Sequence, residues 1–269
     1  MKKLLIALLC LSFSFCSFAG QYQNMQRAVI AKRQSSVGFT PASLTGILLW
    51  LEADEGVYTD AGSTICVNNN DRLYQWNDKS GNGYNFTETA YKPWFKTNIL
   101  NNHPVIGFYY PDNSASFISN TSLANNQKPQ TIAIVIRLED VTANGVIYGG
   151  QSGTTGGFQL DVNSNHFRLV SPGGAVIGSN TSSISTDTWY LLIATYDASG
   201  NYTFTLNGSS DGSGTNNRTL TNYASRIGKD SSTLVMKGDI AALVRTSAII
   251  TSDEKTNLAT YWNTKYAIY

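Results

Sequence analysis

Charged residues and histidine are scarce in this 269-residue chain. Charged residues make up 14% of it, below the ~25% of an average soluble domain, and 19 basic residues balance 18 acidic ones to a net charge of +1. Because nucleic-acid binding depends on a basic surface that neutralises phosphates, this balance argues against a nucleic-acid partner. The two histidines, His103 and His166, leave little room for a multi-histidine metal site or a histidine relay.

Catalytic motifs and cysteine pairs are missing as well. The chain has no phosphate-binding loop, no dinucleotide fingerprint and no nucleophile-elbow serine. Cys10 and Cys16 lie in an N-terminal apolar run that we expect to be cleaved off, which leaves Cys66 alone and without a partner for an intramolecular disulfide. No Lys, Arg or His lies beside Cys66 in sequence to lower its pKa, and we expect a small, partly buried apolar side chain rather than a reactive thiol.

Long apolar runs are limited to one short stretch at the N-terminus. Lys2 and Lys3 precede an apolar run over residues 4–18, and Ser17 and Ala19 supply small residues at the −3 and −1 positions. This pattern predicts a secretory signal peptide over residues 1–19 with cleavage after Ala19, because a membrane span needs about 20 apolar residues. We therefore expect a secreted, periplasmic or cell-surface protein whose mature chain has no membrane span.

The rest of the chain carries strand patterns separated by turn residues. Residues 20–39 are polar and mixed, which predicts an N-terminal leader or linker ahead of one domain over residues 40–269. Turn signals recur about every ten residues, which favours an all-β fold with antiparallel sheets. The clearest strand patterns cover residues 47–51, 131–136, 158–162, 190–196, 202–206 and 240–244.

One helix is predicted near the C-terminus. Thr251 and Glu254 have the spacing of a capping box, and Leu258, Trp262 and Tyr266 follow at four-residue intervals on one helical face. A single short amphipathic helix after the last strand is expected to pack onto a sandwich.

Several motifs, in order, resemble bacterial and phage laminin G-like domains. They are residues 48–57 (LLWLEADEGV), 76–83 (WNDKSGNG), 101–108 (NNHPVIGF), 189–197 (WYLLIATYD), 204–208 (FTLNG), 227–228, 238–240 and 262–266 (WNTKY). The resemblance spans residues 40–269 and implies a concanavalin A-like jelly-roll sandwich of two antiparallel sheets with a short C-terminal helix. It also implies a lectin-like binding role.

The chain departs from that family at two places. Ala241 and Ala242 occupy positions where the family often has an acidic pair, which puts a family-type calcium site in doubt. Asn102 and His103 stand where the family has Asn-Gly before proline.

The acidic run at residues 52–55 invites a glycosidase interpretation. On a strand, Glu52 and Asp54 share a face, and glycosidases use such a pair of carboxylates. Glu55 follows Asp54 directly, so in a continuing strand it would point to the opposite face and break the three-acid signature of sandwich glucanases. The resemblance also places this run at the end of the first strand, and we favour a protein that is not an enzyme.

Asp78 opens a loop that could bind a cation. Calcium takes oxygen ligands from Asp, Asn and backbone carbonyls, and the glycines of residues 78–83 permit a tight path. The alternative is an Asx-turn, in which the carboxylate accepts N–H groups of its own loop. We favour the turn, because the loop lacks a second acidic ligand.

A second candidate site lies at residues 109–113, directly after a predicted strand. Tyr109 and Tyr110 could stack on sugar rings while Asp112 and Asn113 bind hydroxyl groups. The alternative is an edge loop with one tyrosine packed inward.

Two functions are compatible with these patterns. The first is a secreted, non-catalytic binding domain whose partner is a glycan or polysaccharide. The second is a structural or adhesive surface or virion protein without a sugar site. A fold does not decide between them.

Overall fold

Two antiparallel β-sheets of nine strands each build the domain in the computed structural model. The structure describes residues 38–108, 118–124, 126–152, 155–230 and 234–269. The predicted signal peptide and all of the predicted leader except Gly38 and Phe39 lie outside the described residues. Residues 40–269 form one compact unit. Within the described residues, no helix combines the length and apolarity that a membrane crossing needs.

The elements follow one another as the turn signals predict. In chain order the strands are β1 (Ile47–Glu52), β2 (Val57–Tyr58), β3 (Asp71–Arg72), β4 (Gln75–Trp76), β5 (Phe86–Thr87), β6 (Trp94–Leu100), β7 (His103–Phe108), β8 (Ile118–Ala124), β9 (Gln130–Leu138), β10 (Gly145–Ser152), β11 (Thr155–Asn163), β12 (His166–Ser171), β13 (Ala175–Ser179), β14 (Trp189–Tyr196), β15 (Asn201–Leu206), β16 (Ser209–Thr215), β17 (Ala224–Ile227) and β18 (Gly238–Thr246). Helix α1 (Ser252–Tyr266) follows, and short 3-10 turns cover Pro41–Ser43 and Pro172–Gly174.

Strand β18 organises the first sheet. That sheet runs β16-β15-β14-β9-β18-β7-β6-β3, and the second runs β13-β12-β11-β10-β17-β8-β5-β4-β2. One edge of β18 pairs with β9, whereas the other pairs with β7 in its first part and with β1 in its second. The predicted sandwich of two antiparallel sheets is thereby confirmed, and β1 ends in the middle of the first sheet.

The core lies between the sheets and follows the two-residue period of the strands. On β11, Phe158, Leu160 and Val162 are buried in the inter-sheet cluster. The alternate residue Asp161 is buried on the other face, where Arg168 Nη2 lies 2.6 Å from its carboxylate. The alternation read from the sequence therefore marks the inner face of this strand correctly.

Helix α1 adds a second buried layer against the first sheet. Thr251 caps it, and both hydrogen bonds of the predicted capping box with Glu254 are present. Leu258, Trp262 and Tyr266 are buried, and the Tyr266 hydroxyl donates to a carbonyl of β18. The predicted helix and its packing face are confirmed.

The turn between β6 and β7 explains one departure from the family motif. Leu100 pairs with His103 across this turn, and the two residues between them, Asn101 and Asn102, have φ values of 47° and 63°. A two-residue turn of this kind needs positive φ at both positions, which asparagine tolerates. Asn102, one of the two residues of the Asn102-His103 departure, therefore occupies a turn position whose positive φ asparagine tolerates.

Candidate functional site

The Glu52 carboxylate is buried where β1 ends, and two lysines neutralise it. Lys79 Nζ donates to its Oε2 at 2.8 Å and Lys265 Nζ at 3.0 Å, while the Trp262 indole donates to Oε1 at 3.3 Å. Lys79 comes from the loop after β4, and Lys265 and Trp262 come from α1. The carboxylate thus connects β1 with the loop after β4 and with α1.

Asp54 and Glu55 join the same group of charges. Glu55 N donates to the Glu52 carbonyl at 3.3 Å, so the chain turns back directly after β1. Lys79 Nζ then lies 2.6 Å from the Glu55 carboxylate, and Lys265 Nζ lies 2.8 Å from that of Asp54. The expectation that Glu55 points away from Glu52 is wrong, because the strand does not continue past Glu52. We call these five residues the Glu52 cluster.

This geometry does not suit glycoside hydrolysis. A hydrolytic carboxylate pair must reach a sugar bond from both sides, but Glu52 is inaccessible and its oxygens are occupied by two lysines and the Trp262 indole. Burial tends to raise the pKa of Asp54, but the hydrogen bond and charge of Lys265 outweigh it and lower that pKa. The Glu52 cluster is an ionic anchor for α1.

Asp78 fastens its loop to β1. Its Oδ1 accepts the N–H groups of Trp50 and Ser80 at 3.0 and 2.8 Å, and its Oδ2 accepts the Tyr84 N–H at 3.1 Å and the Ser80 hydroxyl at 2.8 Å. The carboxylate is therefore used by donors of its own loop and strand, which is the arrangement of an Asx-type turn. Within the described residues, no cluster of three or more His, Cys, Asp or Glu side chains could hold a metal ion.

The predicted sugar-binding residues Tyr109, Tyr110, Asp112 and Asn113 lie outside the described residues. Their role stays a prediction.

A groove of about 630 Å³ lies between α1 and strands β14 to β16. Its lining is dominated by hydroxyl and amide side chains. The lining residues are Ile193, Thr205, Asn207, Gly208, Ser209, Ser210, Ser252, Lys255, Thr256, Ala259, Thr260, Asn263, Thr264 and Tyr269. We call this surface the helix groove.

One wall of the helix groove is a row of hydroxyl groups on α1. Ser252, Thr256, Thr260 and Thr264 stand four residues apart, so a helix places them on one face. Of these, the Thr256 hydroxyl donates to the Ser252 carbonyl. The four-residue spacing is visible in the sequence, but it identifies a groove only once the opposite wall is known.

An aromatic ring closes one end of the groove. Tyr269 is 53% exposed, and Asn263 Oδ1 accepts its N–H at 3.0 Å while Asn263 Nδ2 donates to its carbonyl at 2.9 Å. Opposite lies the tight turn of Asn207 and Gly208, whose φ values are 50° and 79°. A Cβ on Gly208 would lie 2.9 Å from the Tyr269 hydroxyl, so glycine lets the ring approach this turn. The groove thus presents hydroxyls, amides and one accessible ring.

A second concavity of about 470 Å³ lies beside β1 and includes Trp50, Tyr58 and Asn77. Lys79 Nζ lies 4.3 Å from the centre of the Trp50 ring, and the same ammonium pairs with Glu52 and Glu55. The Trp50 ring is therefore engaged by the Glu52 cluster, which makes this concavity the poorer place for a stacked sugar.

Comparison with known proteins gives a family match and a set of similar structures. The model of the concanavalin A-like lectin/glucanases superfamily matches residues 111–254, just over half of the chain. The binding domain of Paraclostridial Mosquitocidal Protein 1 is similar with a TM-score of 0.57 at 12% identity, over 83% of this chain and 53% of that one. Domain 4 of AbnA, an extracellular arabinanase from Geobacillus stearothermophilus, has a TM-score of 0.56 at 14% identity, over 81% of this chain and 100% of that one.

The botulinum neurotoxin type G receptor binding domain is similar with a TM-score of 0.55 at 15% identity, over 81% of this chain and 52% of that one. This chain therefore spans about half the length of the two toxin domains. At these identities the likeness shows a shared fold. No curated protein matches the chain.

Proposed function

We propose that this chain, which belongs to the concanavalin A-like lectin/glucanases superfamily, is a non-catalytic domain that binds a glycan in the helix groove. The lining of that groove carries the proposal. Ring hydroxyls of a sugar need neutral donors and acceptors in a concave surface, and an aromatic ring supplies a face for the sugar C–H groups. The helix groove offers the Ser/Thr row of α1 and the Tyr269 ring.

The ligand bound in one similar structure supports a saccharide as the ligand of this chain. Domain 4 of the arabinanase was solved in complex with arabinotriose. A fold that holds a short saccharide in another protein is a suitable scaffold for the groove chemistry described above.

The charges of the Glu52 cluster support a role without catalysis. Each carboxylate of the acidic run that suggests a glycosidase is paired with Lys79 or Lys265, and the run is partly buried. Secretion is a further part of the proposal, supported by the signal-peptide pattern of residues 1–19.

A glycan array and sedimentation with insoluble polysaccharides test the proposal on the whole mature chain. We expect at least one class of glycan to bind, and Tyr269→Ala to weaken that binding about tenfold by removing the stacking face. Tyr91→Ala is the matched control, because Tyr91 is another exposed tyrosine and is not among the residues that line the groove.

Blank arrays with folded protein would contradict the proposal and favour the structural or adhesive role. Binding that is equal in the wild type and in Tyr269→Ala would leave a glycan-binding protein but would exclude the helix groove as its site.

A further inference from the structure

The helix groove contains an ammonium group, that of Lys255, which pairs with no acidic side chain of the described residues. Among its described lining residues, Lys255 is the only one with a charged side chain. Three other lysines of the fold pair with carboxylates: Lys79 with Glu52 at 2.8 Å, Lys96 with Asp239 at 2.9 Å and Lys265 with Asp54 at 2.8 Å. Lys255 therefore differs from the lysines that stabilise the fold.

The neighbours of Lys255 on α1 explain its isolation. Residues three or four positions away on a helix can pair, and for Lys255 these are Thr251, Ser252, Leu258 and Ala259, none of them acidic. Adjacent Glu254 is committed elsewhere, since its Oε1 accepts the Thr45 N–H and its Oε2 accepts the Thr251 N–H, both at 2.7 Å.

Burial disfavours the charged form of the Lys255 side chain, and no negative charge of a described residue offsets this effect. The Lys255 side chain is half-buried, and desolvation alone lowers its pKa, with no acidic group among the described residues opposing that effect. An ammonium in this position gains more from an anion than one that already has a carboxylate partner.

We propose that the helix groove selects an acidic sugar, with the Lys255 ammonium binding the carboxylate of the ligand while the Ser/Thr row of α1 binds its hydroxyls. This inference rests on the proposed function and narrows its ligand class. One ammonium among neutral groups matches a single carboxylate per sugar unit. A sulfate or phosphate ester is expected to favour arginine or several donors.

The test compares acidic glycans with neutral partners of the same shape by calorimetry on the whole mature chain. The pairs are oligogalacturonate against its methyl ester and sialyllactose against its methyl ester, which separate a uronate from a sialate source of the carboxylate. We expect one acid to bind about tenfold more tightly than its neutral partner, an advantage that falls as ionic strength rises from about 0.05 to 0.5 M.

Substitutions of Lys255 distinguish the effect of its charge on binding from the effect of its side-chain packing. Lys255→Met should abolish the preference for the acid while neutral binding persists, and Lys255→Arg should retain it. Lys237→Met is the control, because Lys237 is exposed and is not among the residues that line the groove. Thermal melts establish that each variant is folded.

Two results would overturn the inference while the proposed function stands: equal binding of acid and neutral partner, or an acid preference that persists in Lys255→Met. Failure of every glycan to bind would overturn both.

Discussion

The role of the Glu52 carboxylate at the end of β1 is set by its hydrogen-bond partners. Glu52 accepts hydrogen bonds from Lys79, Lys265 and Trp262, which lie between 27 and 213 positions away in sequence. The same carboxylate on an open sheet face would be available to a ligand. Its role is therefore fixed by the long-range contacts of the fold.

We predict that Glu52→Gln destabilises the protein by about 3 kcal/mol, because it removes the buried negative charge between two ammonium groups and replaces one acceptor oxygen with a donor. In a domain of this size the melting temperature should fall by roughly 6–12 °C. Glu55→Gln is the matched control, since the Glu55 side chain is 68% exposed and its pair with Lys79 is expected to contribute less than about 1 kcal/mol. Equal melting temperatures for the two variants would show that Glu52 is not an anchor.

Single residues were the hardest level to predict from the sequence. The resemblance places the acidic run at residues 52–55 at the end of the first strand, but the sequence does not predict that Glu55 returns to Lys79, because this contact depends on where pairing with β18 stops. Arg245 is a second example. The predicted strand ended at residue 244, yet Arg245 is buried in β18 and donates to the Ala124 carbonyl and the Tyr148 hydroxyl of the other sheet.

Cys66 was predicted more accurately, since it required only local information. It is buried, and burial raises the pKa of its thiol to about 12. The expectation of a small apolar side chain fits this environment.

Among the elements, α1 contributes through its buried aromatic face. We predict that Trp262→Ala destabilises the protein by about 3–5 kcal/mol, because it leaves a cavity beneath the helix and removes a donor from Glu52. Thr264→Ala, at an exposed position of the same helix, should change stability by less than about 0.5 kcal/mol. Chemical denaturation measures both, and a Trp262→Ala protein as stable as Thr264→Ala would mean that the helix is loosely docked.

Several turns between strands contain an aspartate whose carboxylate accepts hydrogen bonds from N–H groups of the same turn. Asp60 and Asp71 accept backbone N–H groups, and Asp197 accepts the Asn201 amide as well as its N–H. These hydrogen bonds lower the pKa values of the three carboxyls. A lowered pKa in the folded state stabilises the fold above the unfolded value of about 3.9, and this contribution is lost as pH falls through the folded pKa.

We therefore predict that these turns contribute no pH dependence between pH 7 and about 5, and that stability then falls steeply below about pH 4. Thermal melts across this range measure the effect. Asp197→Asn should reduce the loss on acidification, because an amide does not titrate. A melting temperature that is constant down to pH 2 would contradict this account of the turns.

Elements were predictable where a local pattern defines them. The alternation of residues 158–162 and the capping box at Thr251 each contain their whole signal within a few positions. The helix groove was not predicted, because its walls come from the β15–β16 turn and from α1, which are separated by more than forty residues. Only the packing of α1 on the first sheet brings them together.

For the whole molecule, the order of motifs along the chain predicted the family and the sandwich, although each motif alone is short. Near-neutral net charge and a hydroxyl-rich groove fit the proposed recognition, in which hydrogen bonds and stacking hold the glycan and Lys255 adds one local ionic contact. The sequence places the candidate ligand site at residues 109–113. It could not place a ligand in the helix groove, because the packing of α1 that forms the groove leaves no local pattern.

A crystal structure of the mature chain with the tightest-binding array glycan tests the central claim most directly. The account predicts electron density for the saccharide in the helix groove, with a sugar ring on Tyr269 and hydroxyls within hydrogen-bond distance of Thr256 or Thr260. Saccharide density at residues 109–113, or on any surface away from α1, with the helix groove empty at saturating ligand, would contradict it.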